Sequence, residues 1–343
     1  MGNVKGGGVM RALMLALGLS GLVMGSALGL SGCSTKTVPS QLAATMADSY
    51  FAPATYGEHR AQQKIFDTGN GKIAFTDHGP QGADTPTIVL LHGVPTSSWM
   101  YRKVVPSLQL NMRVITVDHL GYGSSEKPKR EEADYSAAAQ ARRVEALLAS
   151  RGVSHYSVLM HDMGGLVAWE MLTENPDAID NLIVLNTIVG DEGFEQPDVE
   201  GGFFVTQLMK AYTAKLTSAA ILDRTFSDLG LNGEYKLTED ECYGYVRPMR
   251  EGADDALYSF FTNINDDLFV DLAAKHATWP AYKGKVMVMW GAKDETLTTG
   301  QIPTLKAAFN IPDSDIHIYE NNAHFLAEEI PEELVAKVSA FVR

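Results

Sequence analysis

An apolar run, Tyr156-Ser157-Val158-Leu159-Met160, ends at His161-Asp162 and passes at once into Met163-Gly164-Gly165 and the helix-like stretch Leu166-Val167-Ala168-Trp169-Glu170-Met171-Leu172. Continuous apolar character over that length is the mark of a strand covered on both faces, and such strands belong to parallel sheets flanked by helices. Small residues immediately after the strand let the helix start within a residue or two, which puts Asp162 at the tip of a sharp turn. Two roles are open to it there. A short acidic side chain caps the free N–H groups of a helix, and a strand-to-helix turn also presents its central side chain as a nucleophile in the pattern G-x-S-x-G. Asp162 takes the serine position and Gly164 the last glycine, but the first small position holds Met160, a departure from that pattern.

The rest of the chain repeats the strand signal. Residues 62–66 and 72–76 are short strand-like runs around Thr68-Gly69-Asn70-Gly71, where Asn-Gly predicts a hairpin. Thr87-Ile88-Val89-Leu90-Leu91, Arg113-Val114-Ile115-Thr116-Val117, Asn181-Leu182-Ile183-Val184-Leu185-Asn186-Thr187, Lys285-Val286-Met287-Val288-Met289-Trp290 and Asp315-Ile316-His317-Ile318-Tyr319 each read as strands. A helix is predicted over about residues 135–150, with Val144, Leu147 and Leu148 on one face, and a last one over about 331–342. Strands alternating with helices predict an α/β fold with a mostly parallel, doubly wound sheet, whose ligands lie beyond the carboxyl ends of the strands. Residues 190–278 break the alternation with helix-like segments and no comparable strand, a length that predicts a helical lid inserted over that edge.

If the sheet is parallel, Asp162, Asp294 in the turn after Trp290, and His324 after Tyr319 share one edge. Singly, Asp294 could cap a helix and His324 could be a surface histidine. Together they stand in the order nucleophile, acid, histidine found in hydrolase triads, with Asp191 and Glu192 as the runner-up positions for the acid. The stretch from about residue 59 to 343 resembles the α/β-hydrolase superfamily, and within it the haloalkane dehalogenase and epoxide hydrolase branch with an aspartate nucleophile. His92-Gly93-Val94-Pro95-Thr96-Ser97-Ser98, Asp118-His119-Leu120-Gly121-Tyr122-Gly123-Ser124-Ser125-Glu126-Lys127-Pro128, His161-Asp162-Met163-Gly164-Gly165 and Ala323-His324-Phe325-Leu326-Ala327-Glu328-Glu329 carry the likeness. The resemblance implies Asp162 as nucleophile, His324 as base, Asp294 as its partner, and the backbone N–H groups of Val94 and Met163 as an oxyanion hole. It further implies an alkyl ester on Asp162, which water activated by His324 hydrolyses.

Dehalogenases of this branch receive the halide on a tryptophan after the nucleophile and on a second donor, often an asparagine in the early loop. Those positions here are Met163 and Val94, whose side chains donate nothing. Trp99, Trp169 and Trp290 read as packing residues. Epoxide hydrolases instead protonate the ring oxygen from lid tyrosines, for which Tyr243 and Tyr245 are the candidates here, with Tyr212, Tyr235 and Tyr258 also available. The expectation is therefore an epoxide hydrolase-like enzyme acting on a small molecule, with a divergent haloalkane dehalogenase or a non-catalytic binding protein as alternatives. No cofactor or metal is expected: the histidines are scattered, and Gly121-x-Gly123 lacks the third glycine of a dinucleotide loop.

Lys5 and Arg11 precede an uncharged run over residues 12–30 that ends in Leu30-Ser31-Gly32-Cys33. This reads as a secretion signal, and Leu-Ser-Gly-Cys resembles a bacterial lipobox, implying a lipidated Cys33 that anchors the chain to a membrane of the cell envelope. The expected division is signal peptide 1–32, tether 33–57, core 58–189, lid 190–278 and core 279–343. Cys242 would then have no disulfide partner. Loss of Lys5 and Arg11 takes the formal charge from −14 to −16, a poor match to nucleic acid.

Overall fold

The computed structural model describes residues 52–82, 84–195, 203–226 and 236–342. Its centre is one eight-stranded sheet: β1 (Lys64–Asp67), β2 (Lys72–His78), β3 (Thr87–Leu91), β4 (Arg113–Asp118), β5 (Tyr156–Asp162), β6 (Ile179–Thr187), β7 (Lys285–Gly291) and β8 (Ile316–Tyr319). The spatial order is β1-β2-β4-β3-β5-β6-β7-β8. β1 pairs antiparallel with β2 and β2 with β4; every other pairing is parallel. The hairpin closes where Asn-Gly predicts it, with the Thr68 N–H donating to Gly71 O at 3.2 Å.

Leu90, Leu91, Val158, Leu159, Met160, Val184 and Val288 are fully buried, as strands covered on both faces must be. From β3 the chain steps outward to β4 and then returns to place β5 on the other side of β3. The carboxyl ends of β3 and β5 therefore flank the point where the winding reverses, and a crevice opens there in doubly wound sheets.

Helix α1 (Tyr56–Gln62) stands where the sequence reading placed the end of the tether and the start of a strand. Thr55 and Glu58 form a reciprocal capping box, and Tyr56 and His59 are buried, so a packed helix precedes the first strand, which starts only at Lys64. The small, polar composition of the preceding residues hid this T-x-x-E start signal. Helices α2 (Ala137–Ser150) and α3 (Met163–Glu174) follow β4 and β5. α2 starts two residues later than predicted because Ser136 caps it.

Between β6 and β7 the described residues form α4 (Phe203–Thr213), α5 (Ser218–Phe226), α6 (Glu239–Arg250), α7 (Asp254–Asn263) and α8 (Asp266–His276), with no strand among them. α9 (Ile302–Phe309), α10 (Leu326–Glu329) and α11 (Pro331–Phe341) complete the fold. Cys33 and the whole of the expected signal peptide lie outside the described residues. Among the described residues no helix is long and apolar enough to cross a membrane.

Candidate active site

Asp162 closes β5 with φ 52° and ψ −122°, a conformation that costs a non-glycine residue about 1–3 kcal/mol. Although it occupies the N-cap position of α3, its side chain makes no capping hydrogen bond. Its carboxylate points instead at the loop after β3, where the Val94 N–H donates to Oδ1 at 2.6 Å and the Met163 N–H supports the same group. The approach is possible because residue 93 is glycine: a Cβ there would lie 2.4 Å from Asp162 Oδ1. Gly165 serves the opposite side of the turn, since a Cβ on it would lie 1.8 Å from Thr187 Oγ1, the hydroxyl that donates to the Asp162 carbonyl at 2.6 Å.

His324 arrives from the loop after β8. Its Nδ1 donates to Asp294 Oδ2 at 2.6 Å, and its Nε2 lies 3.8 Å from Asp162 Oδ2, beyond hydrogen-bond range. Asp294 follows β7, and β7 and β8 are in register with Gly291 opposite Tyr319, so their two turns lie side by side. The remaining lone pairs of Asp294 are filled: Oδ1 accepts from the N–H groups of Thr296 and Leu297, and Oδ2 also accepts from Asn186 Nδ2 at 2.9 Å. Asn186 is pinned in turn, accepting from Gly291 N–H through Oδ1 and donating to Gly291 O through Nδ2.

The electrostatics follow from burial and neighbours. Burial raises the Asp162 pKa above the ordinary aspartate value, against the lowering pull of His324 and the two N–H donors. Burial alone would lower His324, but the Asp294 carboxylate, its hydrogen bond and Asp162 together hold the imidazole above its usual value. His161 sits beneath, with its ring 4.3 Å from that of His324, and donates from Nε2 to the His324 carbonyl at 2.9 Å. Burial and the adjacent His324 push His161 well below the ordinary histidine value, so it stays neutral. The assembly is a partly accessible carboxylate with Oδ1 on the Val94 N–H, Oδ2 toward the His324 imidazole, and the Met163 N–H as a further donor to the group.

A family model described as alpha/beta hydrolase fold matches residues 86–221. A haloalkane dehalogenase of Mycobacterium marinum is 26% identical over 293 residues, covering 82% of this chain and 93% of the relative. A putative hydrolase LipZ of Mycobacterium tuberculosis is 42% identical, but over only 110 residues, 36% of its length. Among solved structures, haloalkane dehalogenase DbeA of Bradyrhizobium elkani superposes with a TM-score of 0.64 at 19% identity, covering 82% of this chain and 97% of that one. The chain is an α/β-fold hydrolase.

In this hydrolase Asp162, Asp294 and His324 come together as the order of strand ends predicts, with the Val94 and Met163 N–H groups on the aspartate. The runner-up acids do not: Asp191 and Glu192 are exposed, and the Glu192 carbonyl accepts from Gln301. The two candidate lid tyrosines have their hydroxyls engaged elsewhere in the fold. Tyr243 is exposed and accepts from Arg247 at 3.0 Å, while the buried Tyr245 donates to Glu328. Both sit on α6, where a hydroxyl's direction depends on helix rotation that the motif does not encode. Asn186 and His161 escaped notice as site residues. The available signal was a lone amide ending a buried apolar strand, and a histidine directly before the nucleophile. Among the described residues no group of three or more His, Cys, Asp or Glu is placed to hold a metal ion.

Proposed function

We propose that this hydrolase opens small epoxides through an alkyl ester on Asp162. The observation that carries the reading is the aspartate itself, with Oδ1 on the Val94 N–H, the Met163 N–H also given to the carboxylate, and Oδ2 toward His324. Oδ2 attacks a saturated ring carbon, the ring C–O bond breaks, and the ring oxygen takes the electron pair and then a proton. His324 next removes a proton from water as its oxygen adds to Asp162 Cγ; the resulting oxyanion forms on Oδ1, against the two N–H donors. Collapse of that adduct releases the diol and restores the carboxylate. Asp294 holds the imidazole with Nε2 unprotonated and stabilises its positive form.

The preference for an epoxide over a haloalkane rests on the tryptophans. Trp99 Nε1 donates to Glu241 O, Trp169 to Ile188 O and Trp290 to Leu297 O, while Trp279 lies in an aromatic cluster with Trp169, Phe309 and His276. Three of the four indole N–H groups are thus taken by backbone carbonyls, and that of Trp279, buried without a hydrogen-bond partner, lies within the aromatic cluster. A divergent dehalogenase is the second reading, favoured by the relatives' own names. For the ring oxygen, Tyr212 of α4 replaces Tyr243 and Tyr245 as candidate donor, since its hydroxyl is buried without a hydrogen-bond partner. Helices α4 to α8 act as a cap over the site in this reading, and lipidation at Cys33 would fix the enzyme to the cell envelope; a Cys33→Ser variant would then move to the soluble fraction.

The test is intact mass of a soluble form starting at Ser34 with His324→Phe, incubated separately with terminal epoxides and primary haloalkanes. An adduct of the whole epoxide mass supports the proposal, because ring opening loses no atoms. An adduct lacking the halide supports the dehalogenase reading. No adduct from either, in folded protein, removes both and leaves a hydrolase-fold binding protein.

A further inference from the structure

Outside the triad, a buried cluster of charges lies where α6 meets the loop that carries His324. Glu328 follows His324 by four residues and is 1% exposed. Its carboxylate accepts from Arg102 Nη1, from Arg102 Nη2 at 3.0 Å, from Lys103 Nζ at 3.0 Å and from the Tyr245 hydroxyl. Arg102, itself buried, stacks over the Trp99 ring at 4.4 Å and reaches Glu241 on α6 at 2.8 Å. Lys103 reaches the same Glu241 oxygen at 2.7 Å. Glu241 and Tyr245 are four residues apart and therefore share one face of the helix. Two cations and two carboxylates thus neutralise one another, with Lys103 and Glu241 partly exposed and Arg102 and Glu328 buried, and the buried pair loses its compensation if one partner is removed.

Phe325 makes a second link. Its ring centroid lies 6.2 Å from that of Tyr245, 5.4 Å from that of His161 and, edge-on, 4.9 Å from that of His324. Tyr245 therefore holds two residues on the C-terminal side of the base: Phe325 through its ring and Glu328 through its hydroxyl. The other side of the loop has its own fastening, the Glu329 carboxylate accepting from the Ala323 N–H and from Asn322 Nδ2.

We propose that Tyr245 is a positioning residue for His324: the seating of α6 is passed through Glu328 and Phe325 to the histidine loop, and sets the base against Asp162. The proposal rests on the reading that His324 acts only in the second, ester-cleaving step. Loss of the Tyr245 hydroxyl should therefore leave ester formation on Asp162 intact and slow its hydrolysis. A hydrogen bond to a charged group is worth about 1.5–3 kcal/mol, so decay of the ester should slow by about tenfold or more if most of that holds the loop.

The experiment compares Tyr245→Phe with Glu251→Gln, which breaks the surface pairs of Glu251 with Arg60 and Arg247 at the other end of α6. Formation and decay of the adduct are followed by quenched intact mass over a range of pH. The His324 Nδ1 proton, held at 2.6 Å from Asp294, is followed separately by NMR as a far-downfield signal that needs no substrate. Tyr245→Phe is expected to form ester within twofold of the parent rate, to hydrolyse it at least tenfold more slowly, and to shift or broaden the Nδ1 signal. Glu251→Gln should change none of these. Equal slowing of both steps with a lowered Tm would make Tyr245 merely structural and overturn the proposal, as would unchanged decay and an unchanged signal. Should no electrophile alkylate Asp162 at all, the reaction reading fails, and the Nδ1 signal alone decides the positioning role.

Discussion

Replacing Asp294 by Asn tests the site at its most constrained point. Oδ1 of Asp294 accepts from two backbone N–H groups, so an asparagine carbonyl must take that place, turning its NH2 toward His324 Nδ1 and Asn186 Nδ2. Donor would then face donor. The imidazole escapes only by moving its proton to Nε2, the atom that must accept one from water. The variant also loses the carboxylate charge beside the imidazolium formed in ester hydrolysis. At a separation of about 4 Å and an effective dielectric of about 20, that charge is worth about 4 kcal/mol, or roughly a thousandfold in rate. The wrong tautomer adds to this, so ester decay should fall by at least roughly a thousandfold. Ester formation, which does not use the His324–Asp294 pair, should change by less than tenfold. The assay is a single turnover followed by intact mass, with Asp191→Asn and Glu192→Gln as controls. A decay rate within tenfold of the parent for Asp294→Asn, or a collapse in either control, would refute the assignment of the acid.

Gly165→Ala places a methyl 1.8 Å from Thr187 Oγ1 and displaces the hydroxyl that supports the Asp162 carbonyl; overpacking of this kind costs about 3 kcal/mol, which should lower the Tm by roughly 6 °C or more. The hydrolytic step requires neutral His324, whose pKa is raised above the ordinary value of about 6.5. Its rate should therefore rise with pH through a value above 6.5, measured as ester decay across buffers. The same raised pKa makes His324 stabilising in full below about pH 6.5 and progressively less so as pH rises through its folded value. His324→Phe should remove that part of the pH dependence of Tm. Burial pushes the Cys242 thiol up to about 12, so in a chain starting at Ser34 it should resist maleimide at neutral pH until the protein unfolds, as mass spectrometry can show.

The strands and the edge they share were legible because burial on both faces leaves a one-dimensional trace: Thr87-Ile88-Val89-Leu90-Leu91 and its counterparts are apolar at every position. Parallel order then placed Asp162, Asp294 and His324 together without any distance being known. Met160, which breaks the small-residue pattern of the turn, proved compatible with it, because it faces a fully buried environment and the close contacts fall on Gly93 and Gly165 instead. The capping box of Thr55 and Glu58 was written in the chain and overlooked beside its polar surroundings.

What only the tertiary structure decided is where side chains without a periodic signature point. Tyr243 and Tyr245 are two residues apart on one helix and so face different ways, one outward to Arg247 and the other inward to Glu328. Asn186 near the end of β6 meets Asp294 and, through it, His324 from the loops after β7 and β8, and Glu328 finds Arg102 across 226 residues. Sequence alone determined the class of fold and the shared strand edge, since those follow from local pattern. The acid's partners, the tryptophan donors and the clamp behind the histidine are long-range contacts between polar groups, and they exist only once burial forces each group to find a partner.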